Sequence, residues 1–445
     1  MDTPMGQKSF IEKLFHLQAN GTTVRREVLA GLTTFVSMAY ILFVNPQVLG
    51  DAGMNKGAVF TATALSAILG SVLMAVLANY PIAIAPGLGD NAFFTYSVVL
   101  AMGIPWQTAM AGVFISSVLF LILSLVKLRE IVIDAIPHDL KLAMAAGIGI
   151  FIAFVGFQGG GLIVGSKSTL VEMGSLTVPT TWLTIFGLVV TAFLMAKKIP
   201  GSIFIGMVLT TILGLVTKLI PLPNHIVSSI PSMKPTFGVA IAHLGDISQP
   251  QLWSVVLIFL LVAFFDTAGT LIGLASQAGF MKDNKMPRIG GALMADSISM
   301  LGGAVMGTTP TAAYVESSAG IAIGGRTGLT SLVVGVLFAL AMFFSPLLTV
   351  VTSNVTAPVL IIVGILMAQS MKEIDWSKFE IAMPAFLTIV GMPLTYNISY
   401  GIAFGFLAYP LTMLAAGRRK EINPIMYILF VVFIILLYTI NILPK

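Results

Sequence analysis

Apolar runs of about twenty residues recur from Val28 to Ile442, separated by short polar stretches, and such a run is what an α-helix needs to cross hydrocarbon. Hydropathy places spans at approximately 27–48, 58–79, 82–102, 107–126, 140–164, 179–196, 200–221, 251–275, 289–308, 311–325, 328–350, 355–371, 380–396 and 398–416. A fifteenth run, Ile425 to Ile442, follows the basic GRRKE stretch, and its orientation stays open. Two of the fourteen are interrupted. PIAIAPGLG, beginning at Pro81, holds two prolines and two glycines in nine residues, which no continuous helix tolerates cheaply. It lies within ILGSVLMAVLANYPIAIAPGLGDNAF, from Ile68, and that region has a counterpart in SMLGGAVMGTTPTAAYVESSAG, from Ser299. Both run from a Leu-Gly helix end to a proline, an extended small-residue stretch and a polar cluster that opens a half-helix. Seven spans precede the 222–250 loop and seven follow it, so the second half is inverted relative to the first. Inverted repeats with broken helices belong to secondary transporters, which bind near the midplane where the broken segments meet.

Composition agrees: 57% of the 445 residues are apolar and 9% charged, so the expected fold class is an all-α polytopic membrane protein with lipid as its solvent. The polar intervals at 1–26 and 222–250 are too short to bury a core, and Met1 to Asn20 is polar and mildly amphipathic rather than a cleavable signal. No cysteine is present, which excludes disulfides, thiolate metal sites and cysteine nucleophiles. His16, His138, His225 and His243 fall in loops or at span ends, so neither a metal nor another cofactor is expected. The net charge of +5 reflects topology. With a cytoplasmic N-terminus, 18 of the 23 Lys and Arg lie inside, leaving Lys56, Lys167, Lys218, Lys234 and Lys445. That bias is the positive-inside pattern and does not indicate nucleic-acid binding.

The chemistry is carried by acids inside the spans: Asp90, Asp266, Asp296 and Glu316. A carboxylate in lipid is costly and marks function by default, and no Lys or Arg stands at comparable depth. Such acids can exchange protons and accept from substrate N–H groups, which suits a proton-coupled carrier of a neutral, hydrogen-bonding solute. Each also has a structural reading, as a helix cap or a backbone-bonded scaffold group; for Asp90, beside Asn91 at a half-helix start, capping weighs as much as function. Glu27 and Asp51, at the ends of a span, are expected to be solvated. Phe93, Phe94, Phe264, Phe265 and Tyr314 can stack on a planar ligand or simply pack. The glycines, GGG at 159–161 included, are read as close helix packing. GLGD at 87–90 with FFD at 264–266 matches the two aspartate motifs of intramembrane proteases, but in the reverse order, with too many spans and no Pro-Ala-Leu motif. An enzyme is therefore not expected; a channel fits less well than a carrier.

NGTTVRREVLAGLTTFVSMAYILFVNPQVLG (20–50), APGLGDNAFF (85–94), FFDTAGTLIGL (264–274), TAAYVESSAGIAIGGRTGLT (311–330) and PAFLTIVGMPLTYNISYGIAFGF (384–406) closely resemble the bacterial hypoxanthine/guanine and adenine permeases, one branch of the nucleobase–ascorbate transporter family. The resemblance implies a proton symporter of the inner membrane with seven-plus-seven topology, and short strands with half-helices in spans 3 and 10. It implies core segments at 1–126 and 251–350, gate segments at 127–221 and 351–421, an external loop at 222–250 and an extra segment at 422–445. Asp266 and Glu316 would bind the base, with Asn91, Phe265, Tyr314, Val315 and Ser317 around it. Asp296, Asp90 and Thr270 would couple the proton or support the site. Where Asp90 stands, many relatives carry an apolar residue, and the repeat-mate of Glu316 aligns closer to Gly87. The expected partners are a purine base, a proton and the bilayer, with a homodimer open. Hypoxanthine and guanine are favoured over adenine, and an anion carrier of the same fold is a further alternative.

Overall fold

The apolar runs fold as helices whose starts are written locally. Thr23, Asn55 and Asn397 each stand one residue before a helix, and their side-chain oxygens accept the N–H of Arg26, Ala58 and Ser399, satisfying donors that a helix start leaves free. The computed structural model describes residues 10–126, 135–248, 250–281 and 286–441; at 247, 248, 250, 251, 254, 264–269, 272 and 439–441 the backbone alone is described. Among the described residues nine helices are long and apolar enough to cross a membrane unaided. The helix Pro250–Gln277, the shorter apolar helices Ser202–Val216 and Phe379–Thr395, and two broken crossings make up the remaining five spans of a fourteen-segment fold.

Both breaks occur where proline and glycine demand them. The helix Lys56–Leu73 continues as a wider turn over Met74–Ala78 and stops at Asn79 in the left-handed region, φ 52°. The chain then runs extended into strand β1, Ile84–Pro86, and re-enters a helix at Leu88. In the second half the helix Ile289–Met306 ends at Gly307, φ 90°, and is followed by strand β4, Thr311–Ala313, and the half-helix Ser317–Ala322. Elsewhere, β2 (Ile163–Ser166) and β3 (Leu170–Met173) form a hairpin.

Strands β1 and β4 pair antiparallel with each other, Ile84 opposite Ala313 and Pro86 opposite Thr311. An extended chain in lipid must have its backbone groups satisfied by protein, and flanking serines complete what two short strands cannot. Ser331 Oγ donates to the carbonyls of Tyr80 (2.7 Å) and Ile82 (2.9 Å), Ser317 Oγ accepts the Ala83 N–H at 3.0 Å, and Ser71 Oγ accepts that of Ile84 at 3.3 Å. Gly70 lets the helix Lys56–Leu73 approach: a Cβ there would stand 2.6 Å from both Ile84 Cγ2 and Ser299 Oγ.

The bonds Gly87 N to Pro310 O (2.9 Å) and Tyr314 N to Ala83 O (3.0 Å) are reciprocal. A local two-fold exchanging them carries Gly87 onto Tyr314, and so Gly89 onto Glu316 and Asp90 onto Ser317. The backbone thus pairs Glu316 with Gly89, two residues beyond the counterpart suggested by alignment. The arrangement is consistent with an inverted seven-plus-seven repeat.

Lys56–Leu73, Pro250–Gln277 and Ile289–Met306 pack on the strand pair, Trp106–Leu125 and Gly328–Ala341 pack on these, and Val24–Met38 on Gly328–Ala341; a second set, His138–Gly159, Pro179–Ala196, Ser202–Val216, Ser353–Ala368, Phe379–Thr395 and Ile398–Ala415, packs mainly on itself. The last helix, Pro424–Asn441, lies against Ile398–Ala415, with Phe433 and Phe406 ring centroids 4.8 Å apart.

Two expectations are corrected here. Glu27 is fully buried, not solvated. Its carboxylate accepts the backbone N–H of Arg326 (2.9 Å), Thr327 (3.3 Å) and Thr330 (3.2 Å) and the Thr330 hydroxyl (2.7 Å). The first turn of one crossing therefore caps the start of another, because the two helices pack where Gly328–Ala341 has its unsatisfied donors. Arg326 completes the clip by donating to the carbonyls of Ile321 and Gly325, both at 2.7 Å, at the end of the half-helix. GGG at 159–161 is also more than packing: the helix ends at Gly159, Gly160 sits against Thr184, and Gly161, φ 71°, turns the chain toward the β2–β3 hairpin.

Candidate functional site

The two half-helix starts face one cavity of about 520 Å³. Gly87, Leu88 and Gly89 line it from the first half and Tyr314, Val315 and Glu316 from the second, the tripeptides that the local two-fold exchanges. Tyr40, at the turn between the helices Val24–Met38 and Ile41–Asp51, closes one side. The opposite wall comes from the second set of helices: Met195 and Lys198 after one crossing, and Val363 and Met367 on Ser353–Ala368. The cavity therefore sits on the seam between the two helix sets, with the exposed Lys198 among its lining residues.

Among the described residues that line this cavity, Glu316 is the carboxylate. It occupies the residue before the half-helix Ser317–Ala322 but makes no capping bond; instead its Oε1 accepts the Tyr40 hydroxyl. Half-buried, it remains accessible through the cavity. Tyr314 is held by donating its hydroxyl to Pro86 O at 2.5 Å, so its ring is fixed to the strand pair. At the other start, Gly87 precedes the helix with no side-chain cap, and the first N–H groups of a helix have no intrahelical acceptor. One wall thus offers backbone donors and the facing wall a carboxylate, a combination suited to a planar solute carrying both N–H and carbonyl groups.

The other residues singled out from the sequence are placed as follows. Ser317 is buried on the Ala83 N–H, beside the cavity rather than on its wall. Asn91 is buried; its Oδ1 accepts the Thr309 hydroxyl, and its Nδ2 has no hydrogen-bond partner among the described residues. Asp90 and Asp296 are buried off the cavity wall, and Thr270 is half-buried on Pro250–Gln277. Phe93 packs edge-on against Phe259 at 4.7 Å, and neither it nor Phe94 lines the cavity. The side chains of Asp266, Phe265 and Phe264 lie outside the described residues; the backbone of their helix runs past β4 and both half-helices. Tyr40 and Lys198 were not anticipated as site residues. A lone tyrosine midway along an apolar span was the available signal for Tyr40; nothing local marked Lys198, which reaches the cavity from a turn at the end of a helix.

A permease family profile matches residues 25–404. The chain is 55% identical to a guanine/hypoxanthine permease of Bacillus subtilis, PbuG, over 96% of this chain and 99% of that one. It is 41% identical to the adenine permease AdeP of Escherichia coli, over 97% of each chain. Among solved structures, the transmembrane domain of a cyanobacterium bicarbonate transporter shares the fold, with a TM-score of 0.62 at 17% identity over 88% of this chain and 97% of that one. The protein is accordingly a multi-pass membrane transporter and not an enzyme, and it belongs to the permease family of nucleobase–ascorbate transporters.

Proposed function

We propose that this protein is a secondary active transporter that imports purine nucleobases, hypoxanthine and guanine before adenine, by proton symport with alternating access. The observation that carries the reading is Glu316: an accessible carboxylate between two half-helix starts, tied to a tyrosine hydroxyl. An oxopurine presents an N–H beside a carbonyl, so its N–H can replace the Tyr40 hydroxyl on Glu316 while backbone donors near Gly87–Gly89 take its acceptors. The rings of Tyr40 and Tyr314 would confine the plane of the base. The names of relatives support the substrate class, and the higher identity to the guanine/hypoxanthine permease favours that order of the purines.

Asp266 joins Glu316 as a substrate carboxylate in this reading, and Asp296 or Asp90 supports the coupled proton. Residues 1–126 and 251–350 move as a core against a gate formed by 127–221 and 351–421, in the inner membrane with the N-terminus in the cytoplasm. Uptake of radiolabelled hypoxanthine in cells lacking their own purine permeases tests this directly. Uptake abolished by a protonophore and by unlabelled guanine, but not by adenine, is the expected result. Competition by adenine alone would reassign the substrate, and absence of any base uptake by protein that reaches the membrane would overturn the assignment.

A further inference from the structure

A second cavity, of about 240 Å³, lies on the same seam. Two helices connect it to the first. Tyr40 lines the larger cavity, and Gln47, Val48 and Asp51, further along the same crossing, line the smaller. On Ser353–Ala368 the order is matched: Ser353, Thr356 and Leu360 face the smaller cavity, and Val363 and Met367 the larger. The buried Val44, Ile361 and Ile362 occupy the stretches between. The two spaces therefore stand in series, separated by about one to two helical turns.

The smaller cavity has its own recognition chemistry. Asp51 is exposed to it; its Oδ2 accepts the Tyr96 hydroxyl at 3.0 Å, and Oδ1 takes no hydrogen bond from the described residues. The Gln158 side-chain amide likewise has no hydrogen-bond partner among the described residues, leaving a donor and an acceptor beside the carboxylate. Tyr96 and Tyr396 line the same space with ring centroids 6.2 Å apart, and Phe151 backs Tyr396 at 5.5 Å. Gln47 Nε2 donates to Ser353 Oγ at 2.8 Å, and Lys56 Nζ donates to Gln47 Oε1 at 2.7 Å, so one hydrogen-bonded chain ties the two helix sets at the rim.

We propose that this cavity is an entry station for the transported nucleobase, in which Asp51 and Gln158 take the base's N–H and carbonyl edge beside the Tyr96 and Tyr396 rings before it passes to Glu316. The proposal rests on the nucleobase reading above. It makes binding sequential: a small, neutral, planar ligand is held at the rim while the Gln47–Ser353 contact is intact, and the central cavity is reached once that contact parts.

The cysteine-free sequence allows a direct test. Gly159 stands at the rim with open space where a Cβ would be added, so Gly159→Cys provides a single thiol for a membrane-impermeant maleimide in intact cells. Hypoxanthine is expected to slow labelling threefold or more. The protection should persist with Glu316→Gln added, which removes the central carboxylate, and should disappear when Gln158→Ala is added as well. Unchanged labelling without base shows that the cavity is intact in each variant, and Glu316→Ala replaces the glutamine variant if that one fails to reach the membrane. If the Gly159→Cys protein transports hypoxanthine without protection, or if protection vanishes with the Glu316 change alone, the entry station is overturned while the nucleobase reading stands. If the unsubstituted protein neither binds nor transports any base, both fall.

Discussion

Gly87-Leu88-Gly89 and Tyr314-Val315-Glu316 occupy equivalent backbone positions on the two sides of the strand pair, and both line the central cavity. One offers a single apolar side chain, Leu88, between two glycines; the other offers a phenol and a carboxylate. The difference teaches that the repeat supplies a frame rather than a symmetric site. The glycine side provides backbone donors, and the acidic side carries the carboxylate that the proposed function sets against the base. A Cβ at Gly89 would stand 3.1 Å from Ile148 Cγ2 on the facing helix His138–Gly159, so the glycine keeps the half-helix close to that helix.

The largest expected effect comes from removing the chemistry on the acidic side. Glu316→Ala should raise the KM for hypoxanthine about tenfold to a hundredfold, the scale of a lost hydrogen bond to a charged group; an unchanged KM would show that the carboxylate does not meet the base. Filling the glycine side comes next. Gly89→Ala should cut transport several-fold because Ile148 must give way by a few tenths of an ångström, and Ile148→Ala in the same chain should restore part of it. If the two losses simply add in a double-mutant cycle, the contact across the seam is not what limits movement. Tyr40→Phe keeps the ring and removes the hydroxyl that holds Glu316. A change in KM of about twofold to tenfold with little change in expression is expected, and a pure loss of protein would assign Tyr40 to folding instead.

The smallest effect lies far from both tripeptides. Lys378, 2.7 Å away, and the Ser377 hydroxyl hold Asp375 down from its usual 3.8 to about 2. A carboxylate depressed in the folded state contributes fully above its unfolded value, and that contribution is lost only as pH falls through the folded one. Asp375→Asn should therefore leave the pH profile of uptake unaltered between about pH 5 and 8. A displaced profile would move part of the proton coupling away from the membrane interior.

Much of this architecture was legible beforehand, since it depends on local physics. PIAIAPGLG and GTTPTAA announce broken crossings through proline and glycine alone, and the polar residues after them announce half-helix starts. Glu316 and Asp90 were visible as acids in apolar surroundings. Their unequal placement was not, because a half-helix of six residues is too short for a hydrophobic period to reveal which face meets a cavity. Glu316 lines the wall and Ser317, its neighbour, is turned onto the Ala83 N–H. Glu27 was misjudged for a related reason: sequence position placed it at a span's end, and only the facing helix start turned that end into a buried cap.

Taken by itself, the sequence determined that this chain crosses the membrane many times and where two crossings break, since hydropathy, proline and glycine act within a few residues. Only the tertiary structure decided that Glu316 meets Tyr40, that Gly89 is its counterpart, and that two cavities share one seam. Those facts depend on contacts between residues hundreds of positions apart, and the packing of the halves brings them together.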